Sequence, residues 1–158
     1  MITKVTHMCV YVLDRDSAYD FYVNKLGFKV HTDAPMGPDA RWLTELRPNC
    51  FDTFGLARCL RMRSATPPEQ PELEITLFPI KEGKQFDAET TRTMRELIKK
   101  GTFGAAVFTC PDLMATYEEL KGKGVEFVKP PTKEFYGYEA LFKDDSGNWF
   151  SLAQINPE

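Results

Sequence analysis

Two stretches of this chain can be laid over one another without a gap, and no other feature limits its fold so tightly. Placing His7 on Gly104 also places Ala18 on Ala115, Gly27 on Gly124 and Phe28 on Val125. In each stretch an alternating run leads into an amphipathic segment that stops at glycine, and further alternating runs follow. THMCVYV puts Met8, Val10 and Val12 on one face of a strand and His7, Cys9 and Tyr11 on the other. DRDSAYDFYVNKLG then offers Asp14 or Asp16 as a cap, apolar Ala18, Phe21, Tyr22 and Leu26 at helical spacing, and Gly27 as the stop.

The rest of the first repeat predicts strands over Phe28 to His31, Arg41 to Leu46 and Leu73 to Phe78, with DAPMGPDA as a turn. In the second repeat FGAAVF is a strand, PDLMATYEELKGKG a helix and VEFV a strand; YEALF, the turn DDSGN and WFSLAQI complete it. Between the repeats, DAETTRTMRELIKKG predicts a connecting helix capped by Asp87, with Met94, Leu97 and Ile98 as its apolar stripe. The fold class is therefore α+β: two tandem βαβββ modules, over 1–80 and 101–158, joined by a helix over 86–100 within a single domain of 158 residues. Each helix needs a sheet to cover, which leaves the second face of each sheet free. Two such units side by side enclose a concave surface lined by alternate residues.

Charge narrows the function. Lys and Arg number 20 against 23 Asp and Glu, a net charge of -3, which gives no general attraction to nucleic acid or to an anionic membrane. MITKVTHM lacks the basic start and apolar run of a secretory signal, and no stretch reaches the roughly 20 apolar residues that span a bilayer, so a cytoplasmic protein is expected. Cys9, Cys50, Cys59 and Cys110 include no CxxC pair and read as reduced thiols.

VTHMCVYVLDRDSAYDFYVNKLGF, LEITLFP and ALFKDDSGNWFSLAQ together resemble the vicinal oxygen chelate superfamily, the glyoxalase, bleomycin-resistance and extradiol dioxygenase group. The resemblance covers nearly the whole chain and implies a glyoxalase-like fold, a cup-shaped mixed sheet. It also implies four cup positions that hold a divalent metal in the metal-dependent members. They fall on His7, on Glu74 of LEIT, on Gly104 (Ala105 if the alignment is anchored on Asp112) and on Ser151 of GNWFSL. His31 has no metal role in that pattern. A catalytic metal needs about three protein ligands and an open position, and only His7 and Glu74 are ligating types here. The metal site therefore reads as degenerate, with no cofactor expected. His7 and Glu74 remain candidates for metal binding or for acid and base chemistry, or they simply satisfy one another.

Alternation points Trp149, Ser151 and Ala153 one way on the last strand, and Gly104, Ala106 and Phe108 one way on the first strand of the second module. Small residues leave room and aromatics leave flat surfaces, so the candidate ligand-binding set is His7, Glu74, Gly104, Phe108, Tyr136, Trp149 and Ser151. Trp149 and Phe108 read equally well as core. Tyr136 and Tyr138 flank Gly137 at a turn, where they gate the pocket or cover the sheet.

About 26 residues separate Leu46 from Leu73, against six between Phe142 and Trp149. That segment, 47–72, carries Arg58, Arg61 and Arg63 among apolar residues; it reads as a lid, a short helix, a partner-binding arm or a solvated loop. The function expected is capture of a small aromatic or hydrophobic ligand, as in the drug-sequestering members of the superfamily. The alternative is a glyoxalase-type lyase or isomerase using His7 and Glu74; whether the chain is an enzyme stays open. A homodimer is the expected assembly.

Overall fold

Each repeat builds its own four-stranded mixed sheet, and the two sheets share one strand order. The computed structural model describes residues 3–35, 61–83 and 85–155, with backbone alone at 31–35 and 61–64. The first module runs β1 (His7–Val12), α1 (Arg15–Asp20), β2 (Lys29–Pro35), β3 (Arg61–Thr66) and β4 (Glu74–Pro79), arranged β1-β4-β3-β2. After α2 (Ala88–Lys99) the second runs β5 (Gly104–Thr109), α3 (Leu113–Gly122), β6 (Glu126–Glu134), β7 (Gly137–Lys143) and β8 (Trp149–Ile155), arranged β5-β8-β7-β6. In both, the first strand lies parallel to the last and the remaining pairs are antiparallel. No helix among the described residues is long and apolar enough to cross a membrane.

Aspartate starts each of α1, α2 and α3 by accepting from backbone N–H groups that lack an intrahelical partner. Asp14, rather than Asp16, caps α1, taking the amides of Asp16 at 3.0 Å and Ser17 at 2.9 Å. Asp87 takes the amide of Thr90 at 2.7 Å and Asp112 that of Ala115 at 3.0 Å. The first helix widens into a π-helical turn over Phe21–Lys25, which carries the buried Phe21 and Tyr22. Those two rings reach the other module: Phe21 stacks on Phe142 and Tyr22 meets Phe150 edge-on, with centroids 6.4 and 6.1 Å apart. Val10, Val12, Ile75 and Leu77 from one sheet and Phe142, Phe150 and Leu152 from the other belong to one apolar cluster. Each such side chain contributes about 1.5–3 kcal/mol when fully buried.

Between β2 and β4 the sheet carries Arg61–Thr66, a strand from the long segment that was not expected; the strand expected over Arg41 to Leu46 lies outside the described residues, together with Arg58. In β3, Ala65 and Thr66 are buried. Strand β6 also runs past VEFV to Glu134, because Pro130 and Pro131 interrupt its pairing without ending it. Neither proline can donate to a ladder, and β6 is an edge strand, the place where proline is tolerated.

The DDSGN turn fastens the modules. Asp144 Oδ1 accepts from the backbone amides of Ser146, Gly147 and Asn148 at 2.9–3.0 Å. Its Oδ2 accepts from the Tyr22 hydroxyl at 2.9 Å and from Asn148 Nδ2 at 2.8 Å. Asn148 Nδ2 also donates to the Tyr11 carbonyl at 2.8 Å, and Ser146 Oγ accepts from the Leu13 amide at 3.0 Å. Gly147 has φ 104°, and a Cβ there would overlap the carbonyl oxygen of Ile98 at the end of α2. Only glycine meets both demands.

Candidate functional site

In each sheet one face packs into the core and the other is left open. On the first sheet Val10, Val12, Ile75 and Leu77 point inward, so His7, Cys9 and Tyr11 share the open face with their register partners Glu74, Thr76 and Phe78. His7 opposes Glu74 directly, with Nε2 3.3 Å from Oε1 and Nδ1 2.9 Å from the Thr6 hydroxyl. The imidazole is 54% exposed and the carboxylate 15%. At the far end of this face Tyr11, Phe78 and Phe86 meet edge to face at 5.7–6.4 Å. That aromatic patch carries no sequence-level signal, since Phe86 reaches it from the segment before α2.

On the second sheet β8 presents Trp149, Ser151 and Ala153 to the open face, while Phe150 and Leu152 enter the core. Gly104 opposes Trp149, and a Cβ at residue 104 would overlap the indole ring. The indole therefore lies on the glycine backbone, 38% exposed. Beyond Gly104 the register slips by one residue before Ala106, which pairs with Phe150. That bulge reverses the faces that follow. Val107, opposite Ser151, looks outward and is 66% exposed, whereas Phe108, opposite Leu152, turns into the core. The Phe108 ring stacks on Phe150 at 5.1 Å and meets Phe28 edge-on at 5.4 Å. Phe108 is thus a core residue and does not share a face with Trp149, because the alternation expected across the strand is broken at Ala105.

Ser151 is 4% exposed, and its hydroxyl donates to Glu139 Oε1 at 2.6 Å. Glu139 Oε2 accepts from Lys129 Nζ at 2.9 Å, and Lys129 also donates to Glu134 at 2.6 Å. The Tyr136 phenol lies beside this cluster, where burial and then the Glu139 carboxylate raise its pKa. Tyr136 and Phe135 form the two-residue turn between β6 and β7, so Tyr136 is held over its own hairpin; Tyr138, opposite Lys133, is outside the network. Hydrogen bonds from Ser151 and then Lys129 hold the Glu139 carboxyl below its ordinary range, against a smaller effect of burial. A depressed carboxylate stabilises the fold above the unfolded-state value and loses that contribution as pH falls through the folded one. The stability difference between wild type and Glu139→Gln, read as urea midpoints, is expected to be full near pH 7 and to shrink below about pH 4. A difference constant down to pH 3 would show that the charge of Glu139 contributes nothing.

Lys129, Glu134 and Glu139 were not legible as site residues. Glu139 does alternate with the core residues Ala140 and Phe142, which signals an outward carboxylate. Its partners, however, depend on a register that two bulges in β6 conceal.

The four metal positions of the family do not fit a metal on this chain. His7 and Glu74 can ligate, but the space for a side chain at residue 104 is filled by an indole, and the Ser151 hydroxyl is committed to Glu139. Among the described residues no group of three His, Cys, Asp or Glu is placed to hold an ion.

Comparison with known proteins agrees with this architecture. The model of the Glyoxalase/Bleomycin resistance protein/Dioxygenase superfamily matches residues 4–152. YetH of Bacillus subtilis (strain 168) is 29% identical, covering 98% of this chain and 100% of its own. Among solved structures, UcmS2 is 39% identical with a TM-score of 0.79, covering 96% of this chain and 98% of that one. TnmS3, an antibiotic binding protein from Streptomyces sp. CB03234, has the same fold at 21% identity, with a TM-score of 0.65 and 98% of each chain covered. The chain belongs to the Glyoxalase/Bleomycin resistance protein/Dioxygenase superfamily.

Proposed function

We propose that this protein binds a small organic molecule, aromatic or hydrophobic in part, in the cup between its modules and without a catalytic metal. The observation that carries the reading is the Trp149 indole laid on Gly104 at a position where metal-dependent members place a ligand. An exposed indole on a glycine platform presents a flat apolar surface that suits stacking. Ser151 and Tyr136 add hydroxyl groups on the same module, and His7 with Glu74 adds polar groups on the other. That TnmS3 is an antibiotic binding protein supports the use of this fold for capture.

The second reading is a metal-dependent lyase or isomerase, favoured by the direct contact of His7 with Glu74 at 3.3 Å. Thermal shift and metal analysis on protein purified without a histidine tag separate the two. Planar aromatic compounds are expected to raise the melting temperature, small polar acids to leave it in place, and zinc, nickel, manganese and iron to be far below stoichiometric. Near-stoichiometric metal that disappears in His7→Ala would overturn the capture reading in favour of the second.

A further inference from the structure

We infer that the Lys129, Glu134 and Glu139 network beside Ser151 is the polar half of the ligand seat, and that it selects aromatic molecules carrying a protonated amine. This rests on the ligand-binding reading above and adds the chemical class that the site takes.

The network spans three neighbouring strands on the open face, with Lys129 and Glu134 from β6, Glu139 from β7 and Ser151 from β8. Two carboxylates against one ammonium leave it with a net charge of about -1 at neutral pH. Lys129 spends two of its three N–H groups on those carboxylates, and Ser151 spends its only one on Glu139. What stays accessible is mostly acceptor capacity, chiefly the second oxygen of Glu134, whose side chain is 32% exposed. A group that only donates complements this set, and a cationic donor also complements its charge. An anionic group would meet two carboxylates and a lysine already shared between them.

Two further observations place an aromatic body next to that charge. Ser151 lies two residues from Trp149 on the same face of β8, a separation of about 7 Å along the strand, comparable to the length of a fused ring pair. Val107, the register partner of Ser151, is 66% exposed, so apolar surface beside the network is open. Lys143, on the same face at the Trp149 end, carries its ammonium toward Gly101. Glu134 and Lys129 remain partly accessible, at 32% and 30% of their side-chain surface. A network built only to staple three strands has no need of an open apolar neighbour.

The test is calorimetric titration with 1-naphthylmethylamine, 1-naphthalenemethanol and 1-naphthoate, which share one ring system and differ in charge. The amine is expected to bind about tenfold more tightly than the alcohol, and the carboxylate most weakly. Glu134→Gln removes one charge from the edge of the network and leaves the Ser151–Glu139–Lys129 bonds in place. It is expected to bring the ratio of amine to alcohol affinity close to one. Equal binding of amine and alcohol by the wild type, or a ratio that survives Glu134→Gln, overturns the amine preference and leaves the ligand-binding reading standing. Absence of binding by all three compounds overturns both.

Discussion

Asp144→Ala is expected to lower the unfolding free energy by about 3–5 kcal/mol, the largest effect of any single polar substitution in the described part of the chain. Burial raises the Asp144 carboxyl above its ordinary value, and hydrogen bonds from Asn148 and Tyr22 pull it back down. Alanine would strand the Tyr22 hydroxyl, one N–H of the Asn148 side chain and the backbone N–H groups of Ser146 and Asn148, while the Gly147 N–H keeps the Asp144 backbone carbonyl at 3.2 Å. Each buried donor left without a partner costs about 1–3 kcal/mol, with relaxation and water recovering part of the sum. Tyr22→Phe removes one of these bonds and keeps the ring on Phe150, so its cost should be near 1–2 kcal/mol. Urea unfolding of the two variants checks the argument. An Asp144→Ala loss smaller than that of Tyr22→Phe would mean that the turn is not the clasp between modules.

The second large effect concerns the indole. Trp149→Ala is expected to weaken binding of a planar aromatic ligand by about 2 kcal/mol, roughly thirtyfold, through lost stacking and lost apolar contact. Because Trp149 is 38% exposed, the same change should also cost about 2–3 kcal/mol of stability, so affinities are compared on the folded fraction. Gly104→Val reaches the same surface from below. Its Cβ needs the volume of the indole, and the ring is the part free to move, so the ring should swing off the sheet. The variant should remain folded, shift the Trp149 emission to the red and lose the aromatic ligand about as fully as Trp149→Ala. Wild-type affinity in either variant would remove the indole from the site and, with it, the main support for ligand capture.

Much of the architecture could be read from the chain because the same element order occurs twice, and because aspartate before a stripe and glycine after it mark the ends of α1, α2 and α3. The placement of His7 with Glu74 in one cup was implied by the family resemblance, and the register that sets the two directly opposite one another is seen in the structure. The non-ligating types at Gly104 and Ser151 came from the same resemblance, which marks those positions as metal positions in other members. Strand β3 was missed because Arg61 and Arg63 dilute its apolar signal, and a long segment intervenes before it. The extension of β6 was missed because Pro130 and Pro131 look like an end, although on an edge strand they are a pause.

What the sequence determined by itself was local: the period of each segment, its caps, and the residue types standing at each position of the repeat. What only the tertiary structure decided was which of those positions face one another. A single extra residue at Ala105 sends Phe108 into the core and turns Val107 outward, and the skipped pairing around Pro130 brings Lys129 to Glu139, which also holds the Ser151 hydroxyl. Alternation specifies a face only while register holds, and register across strands is set by packing between residues far apart in the chain.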